Sequence, residues 1–325
     1  MLSFSIIIPV KPGGYVLARE HLEKVMPDEG RYEILLAEGS APSRQRNLAA
    51  KEARGDILYF LDDDSVINPE NLDYCTAAMS NPAVAVVGGP SITPAEDSWK
   101  QQLFGYALAS AFGTGAVNSR YRAQGEPRTT TDKELILCNL AVRRSVFTDL
   151  NGFNECLYPN EENEFLERAV SAGYSLLHVP SMFVFRSQRR TLHAFIRQMF
   201  NYGRGRGQQT LITPSYSLTS FIPLFFVAYL ALSLICIRHV FMLVPLVIYV
   251  SAALVSSLVV LSRTGHLYSV LLLGIYPLMH IVNGAGLLWG LLSGKPDPAR
   301  DSSIQVRRIK SLGDNYPGVS NSGSN

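Results

Sequence analysis

The chain is poor in cysteine, in tryptophan and, over much of its last third, in charge. Its four cysteines, Cys75, Cys138, Cys156 and Cys236, stand far apart with no C-x-x-C spacing, and Cys236 falls inside an apolar run. That argues against a cysteine-ligated zinc site or a disulfide framework and suits a reducing cytoplasm. A formal net charge of +2, from 29 basic and 27 acidic side chains, provides no excess for a basic nucleic-acid-binding face, so no nucleic-acid partner is expected. The opening run of MLSFSIIIPVKPGG is too short for a signal peptide and has neither a basic leader nor a cleavage site. It reads instead as a first core strand of a cytoplasmic head. Charge is nearly missing from Ser217 to Leu292, where only Arg238 and Arg263 are formally charged, beside three histidines. Such a segment belongs in a bilayer, attached to a soluble unit.

The soluble part alternates in the α/β manner. Apolar runs at Phe4 to Val10, Glu33 to Ala37, Ile57 to Leu61 and Val84 to Val87 are separated by polar, helix-permissive stretches. Continuous apolar runs suit strands covered on both faces, so a mostly parallel central sheet is expected, with ligands at the carboxyl ends of its strands. In APSRQRNLAAKEARGD, Ser43 is a candidate helix N-cap and Gly55 lies just past the end; in PNEENEFLERAVSAGY, Asn160 and Gly173 bracket a second helix. Further strands are expected at Leu135 to Cys138 and Ser175 to Val179.

The segment RRTLHAFIRQMFNYGRGRG sets Leu192, Phe195, Ile196, Met199 and Phe200 on one helical stripe, flanked or opposed by five arginines. A helix lying among lipid headgroups would look like this, and so would an ordinary core-facing helix. Three spans follow, about Leu218 to Ile237, Phe241 to Leu261 and Leu267 to Leu292; Pro277 and Gly284-Ala285-Gly286 suggest that the third is broken or re-entrant. Three crossings from a cytoplasmic head would put the tail outside, yet it holds Lys295, Arg300, Arg307, Arg308 and Lys310, against the positive-inside tendency. The units expected are therefore a catalytic domain over 1–190, an amphipathic helix and linker over 191–216, a membrane region over 217–293 and a basic, disordered tail over 294–325.

Three clusters carry candidate chemistry. In GDILYFLDDDSVINPE an apolar strand runs into Asp62, Asp63 and Asp64. Carboxylates at i and i+2 point the same way, so Asp62 and Asp64 could hold Mg²⁺ or Mn²⁺ against phosphate oxygens, while Asp63 faces elsewhere; a solvated acidic loop is the plain alternative. Glu161-Glu162-Asn163-Glu164 could carry a general base at a helix start, or merely complement the helix dipole. Arg44-Gln45-Arg46-Asn47 puts cations at a helix N-terminus, where the dipole disfavours them unless an anion binds there or the patch is solvated.

In order, FSIIIPV, LLAEGS, RNLAAKEARGDILYFLDDD, LCNLAVRRSVFTDLNGFNE and NEENEFLERAVSAGY resemble the family 2 glycosyltransferases, over Ser3 to about Arg206. QMFNYGRGR and the spans after it resemble the membrane-attached, succinoglycan-type members that build bacterial exopolysaccharides. The resemblance implies a GT-A fold with a C-terminal helical transmembrane region, a nucleotide-diphosphate sugar donor (foremost a UDP-sugar), and a Mn²⁺ or Mg²⁺ cofactor. It also implies an acceptor hydroxyl on a polyprenyl-linked saccharide, and a multi-pass place in the bacterial inner membrane in contact with lipid. Pro9, Val10 and Glu38 would line the nucleotide pocket with Arg46 nearby. Asp62 and Asp63 would lie by the nucleotide, and Asp64, with Asp62, would hold the metal. Glu162 would be the base, with Glu161 as the alternative. Asn139 and the Gly152-Phe153 turn would shape the acceptor and donor-sugar side, and Gln198, Tyr202 and Arg206 would close over the diphosphate or guide the acceptor.

Two positions depart from the family pattern: Glu38 and the catalytic glutamate stand where Asp is usual. A polyprenyl-phosphate sugar synthase is the rival enzyme, and a non-catalytic membrane scaffold on a transferase fold the rival outside catalysis. Without donor and metal, the Asp62–Asp64 loop is expected to be electrostatically unsatisfied.

Overall fold

A computed structural model of the protein describes residues 2–25, 30–213, 217–235, 239–298 and 303–313. Its strands are β1 (Phe4–Val10), β2 (Tyr32–Glu38), β3 (Ile57–Leu61), β4 (Val66–Ile67), β5 (Val84–Gly88), β6 (Ser91–Ile92), β7 (Arg128–Thr130), β8 (Asn139–Arg143), β9 (Ser175–His178), β10 (Val184–Phe185) and β11 (Gln305–Lys310). The helices of the head are α1 (Leu17–Val25), α2 (Pro42–Glu52), α3 (Asn71–Ala78), α4 (Trp99–Ala109), α5 (Ala111–Thr114), α6 (Arg144–Asp149) and α7 (Glu161–Ser171). Beyond them come α8 (Leu192–Ile212), α9 (Ile222–Ile235), α10 (Leu243–Thr264) and α11 (Leu272–Leu292).

One sheet, ordered β11-β2-β1-β3-β8-β5-β9-β7, organises the head, and a small sheet β4-β10-β6 sits beside it. β2, β1 and β3 are parallel, whereas β8 runs antiparallel to both of its neighbours, so the sheet is parallel where it carries the site and mixed beyond. The apolar strands bury both faces by alternation. Ile6, Ile8, Leu36 and Tyr59 belong to one core, and Ile7, Leu35, Leu58 and Phe60 to the other.

Four local expectations change. Ser43 is inside α2, and its buried hydroxyl donates to the Leu157 carbonyl at 2.6 Å instead of capping. Asn160 does stand at the N-cap of α7, but in the left-handed region (φ 90°), and its amide donates to Gln209 of α8 at 3.0 Å. Leu135 to Cys138 form no strand; the strand starts at Asn139. The tail is not wholly disordered: Gln305–Lys310 is β11, antiparallel to β2 at the edge of the main sheet, while the GVSNSGSN end lies outside the described residues.

Three helical stretches, Leu218–Ile235, Val240–Thr264 and Leu267–Leu292, are long and apolar enough to cross a membrane. The last is unbroken despite Pro277. The apolar stripe of α8 is partly covered by protein: Phe195 and Met199 are buried, Ile196 and Phe200 half-buried and Leu192 exposed; Phe195 stacks on Phe104 of α4 at 4.3 Å, and both share a core with Tyr276 and Met279 of α11. Farther along α8, small residues let two backbones meet. A Cβ on Gly286 would lie 2.2 Å from the Phe200 carbonyl oxygen, and one on Gly290 equally close to that of Arg204. Close approach through glycine is how helices associate where lipid offers no hydrophobic drive. Gly286→Val should therefore lower the melting temperature in detergent, at a cost of about 2 kcal/mol or more; a variant melting with the wild type would show that the seam is loose.

Candidate active site

The carboxyl ends of β1, β2 and β3 carry the expected residues. Pro9 and Val10 end β1 opposite Ala37 and Glu38 of β2. Gln45, buried in the first turns of α2, donates to the carbonyls of both Val10 and Ala37 and locks the two strand ends together. The Glu38 carboxylate accepts from the Gly13 N–H at 2.9 Å and from Arg307 at 2.7 Å.

The cationic start of α2 is explained from within the protein. Arg46 is 4% exposed, and its guanidinium donates to Asp62 at 2.8 Å and to Glu161 at 2.9 Å. Asn47 holds the Gly152-Phe153 turn, exchanging hydrogen bonds with the Phe153 backbone; Gly152 has φ +66°, and a Cβ there would press on Asn47. Phe153 itself is buried among Phe60, Phe147 and Phe165, so this turn belongs to the core.

The triple aspartate follows β3 in a turn, closed by the Ser65 N–H on the Asp62 carbonyl at 3.1 Å, so the extended-strand alternation expected of it does not apply, and one guanidinium gathers Asp62 and Asp64 instead. Arg186, just after β10, donates to Asp64 at 2.7 Å and pairs with Asp62 at 3.1 Å, and no ion pair joins it to Asp63 among the described residues. Burial pushes the Asp62 carboxyl up, but Arg186 and Arg46 outweigh it and hold the group below the usual carboxylate range. Asp63 is shifted up, by burial and by its two neighbours. The expectation of an electrostatically unsatisfied loop is thus corrected for its outer aspartates, which two guanidinium groups pair with, while Asp63 stays without an ion pair among the described residues.

Asp62 and Asp64 offer hard oxygen donors on one side, and no cluster of three or more His, Cys, Asp or Glu side chains suited to a metal is found among the described residues. Two carboxylates fit Mg²⁺ or Mn²⁺ when phosphate oxygens and water complete the shell. Asp64, with 43% of its side chain exposed, is the accessible partner.

At the start of α7 the two glutamates differ. Glu161 is 1% exposed, shares Arg46 with Asp62, and leaves one oxygen without a hydrogen-bond partner; burial pushes its pKa up to about 8 against the pull of Arg46. Glu162 meets Arg120 at 3.5 Å, a looser contact. Glu161 is thus built into the wall, and Glu162 is the carboxylate with a weaker tie.

Other expected residues are dispersed. Asn139 is fully buried, accepting from Tyr59 and donating to the Met182 and Pro90 carbonyls; it ties strands together and does not line the cleft. Gln198 donates to the Tyr202 hydroxyl at 2.7 Å, accepts from Arg189, and lines a small cavity with Arg186. Arg206 turns away, toward Glu167 at 3.4 Å and Asp132 at 3.6 Å. Sequence reasoning missed Arg186, Arg120 and Arg307. Arg186 had a signal: three aspartates at one strand end need a counter-cation, and FVFR ends another apolar run in arginine.

Acidic groups at the carboxyl ends of a parallel half-sheet, with an acidic helix start joined to them, define the GT-A class of glycosyltransferases. The family model described as glycosyl transferase family group 2 matches residues 57–292, and the chain belongs to that family. Among solved structures, the mannosyltransferase PcManGT from Pyrobaculum calidifontis, in complex with GDP-Man and Mn²⁺, is similar with a TM-score of 0.54 at 16% identity, over 90% of this chain and 88% of that one. S. aureus TarS with UDP-GlcNAc follows with a TM-score of 0.44 and 14% identity, over 87% and 90%. A comparison with curated protein sequences gives no match.

The raised Glu161 pKa carries a sign. A carboxyl bound more tightly to its proton in the folded state contributes stability that is full below the unfolded value of 4.5 and lost as pH rises through about 8. The wild-type melting temperature should fall from pH 6 to pH 9, and Glu161→Gln should flatten that slope; parallel slopes would refute the assignment.

Proposed function

We propose that the protein is an inverting glycosyltransferase moving a sugar from a nucleotide-diphosphate donor to a hydroxyl of a lipid-linked saccharide in bacterial cell-surface or exopolysaccharide synthesis. The observation that carries this is the Arg46 bridge: one guanidinium joins Asp62 to Glu161, so the donor-side aspartates and the helix start bearing Glu162 form one site. Glu162 takes the proton of the acceptor hydroxyl. The freed oxygen attacks the anomeric carbon from the face opposite the leaving group, and the bond from that carbon to the diphosphate breaks, releasing nucleoside diphosphate. Asp62 and Asp64 would hold the divalent ion, Mn²⁺ or Mg²⁺, which when bound neutralises charge on the departing diphosphate. Arg186 is placed beside them to take up the phosphate as the carboxylates exchange partners.

Glu162→Gln should lower kcat by 10²-fold or more with donor affinity unchanged. Asp64→Ala should cost about 10²-fold in turnover. A turnover indifferent to Glu162 would favour the polyprenyl-phosphate sugar synthase, whose phosphate acceptor is already ionised. Nucleoside diphosphate release in membranes, with a panel of nucleotide sugars and either metal, reads all three.

The same reading makes the protein a multi-pass enzyme of the inner membrane, with its head in the cytoplasm. β11 pairs with β2 of the head, so the chain leaves and returns on one side, and the number of complete crossings is even. α9 and α10 are the natural hairpin: none of the apolar window containing α9 is buried in protein, and 11% of that containing α10, against 33% for α11. The stretch before α11 lies beside the head, where Tyr268 stacks with Tyr106, and α11 packs along α8 as well as against α9, which supports counting it out of the crossings. Single cysteines at exposed head and tail positions should react with a membrane-impermeant thiol reagent from the same face. Labelling from opposite faces would overturn this topology.

A further inference from the structure

The nucleotide end of the cleft holds a side chain from the far end of the chain. β11 lies against β2 with Gln305 opposite Glu38 and Arg307 opposite Leu36. This register brings the Arg307 guanidinium to the second Glu38 oxygen at 2.7 Å, while the Gly13 N–H occupies the first at 2.9 Å. Arg307, Glu38, Val10, Gly13, Gly14 and Tyr15 line an open groove of about 410 Å³. That volume is within the range of small-ligand sites. The groove has the parts that a flat heterocycle needs. Tyr15 is 65% exposed and offers a ring face. Gly14 keeps the wall thin, since a Cβ there would sit 2.9 Å from the Lys11 carbonyl oxygen. Glu38 can only accept hydrogen bonds when ionised, and Arg307 can only donate them.

We infer that Arg307 is a specificity-determining residue for the donor: with Glu38 it reads the edge of the nucleobase, so that the strand following the membrane helices completes the nucleotide pocket. A nucleobase edge carries ring or amino N–H groups beside carbonyl oxygens or bare ring nitrogens, and an acceptor and a donor fixed side by side select one alternation of these. Glu38 takes the N–H, and Arg307 donates to the neighbouring acceptor. Glu38 by itself would leave that acceptor unread. Arg307 is 59% exposed at its side chain, so N–H groups beyond the one given to Glu38 are accessible, and β11 pairing fixes where they start.

This rests on the nucleotide-sugar reading, and the test separates the two. Equilibrium binding of UDP, GDP, CDP and ADP to the full-length protein in detergent would be measured for the wild type, Arg307→Ala and Arg307→Lys, with melting temperature as the check on folding. The wild type should prefer one nucleotide. Arg307→Ala should weaken that one by about tenfold while moving the others by much less, so the preference flattens, and Arg307→Lys should restore part of it. Equal weakening of all four nucleotides, or no change, would overturn the role of Arg307 and leave the donor reading standing. A wild type that binds none of the four would overturn the donor reading, and this inference with it.

Discussion

Burying a glutamate in the wall of a cleft is unfavourable unless a cation comes with it, and Arg46 is that cation. Its guanidinium reaches Glu161 at the start of α7 and Asp62 at the end of β3 from a position in α2, so three elements distant in sequence are fixed by one planar group. A guanidinium shared by two acids holds them near each other, and burial, which pushes the Glu161 pKa up to about 8, favours its neutral form and relieves their repulsion. Glu161 nevertheless keeps an unpartnered oxygen and a raised pKa, so the clamp is incompletely compensated. Buried charge of this kind is a poor source of stability and a good means of fixing a single geometry. The geometry fixed here sets the start of α7, with Glu162 on a looser 3.5 Å contact to Arg120, against the end of β3.

A second guanidinium repeats the principle on the solvent side. Arg186 occupies both outer aspartates, and its own surroundings, Gln188, Arg189, Gln198 and Tyr202, are polar. The site therefore carries cations of its own where a purely acidic loop was expected. On the proposed reading, a divalent ion held by Asp62 and Asp64 would compete with Arg186 for their oxygens, and the diphosphate of a donor would offer that guanidinium new partners. Donor and metal are thereby expected to bind best together.

The long apolar helices are bound to this head by packing. α11 lies against α4, α5 and α8, with glycines meeting backbone along one seam and the aromatic cluster of Phe112, Tyr249, Tyr276 and His280 along another. β11 then closes the circuit on the edge of the sheet. Helices and head consequently form one folded body, in which the last strand both covers a sheet edge and reaches the groove lined by Val10, Tyr15 and Glu38.

Much of this was readable in the residues. Apolar runs found β1, β3 and β5 because strands buried on both faces need no alternation, and the DDD run marked where acids gather, although a turn and Arg186, not strand alternation, set how Asp62 and Asp64 meet. The three long apolar stretches likewise declared themselves by length and absence of charge. What lies beyond local geometry was decided only in three dimensions. Ser43 and Asn160 have capping chemistry, yet their side chains found partners in other segments; the apolar stripe of α8 met protein; Asn139 went into the core and Arg206 to a different pair of acids. The counter-cations Arg46 and Arg186, and Arg307 from beyond the long apolar helices, pair with carboxylates 16 to 269 residues away. The sequence alone located the strands β1, β2, β3, β5 and β9, the stretches apolar enough for lipid and the places where acids gather, since these follow from neighbours along the chain. Which cation meets which acid, and on which side the tail returns, depended on long-range pairing, because a charge is satisfied by proximity in space and carries no record of its partner.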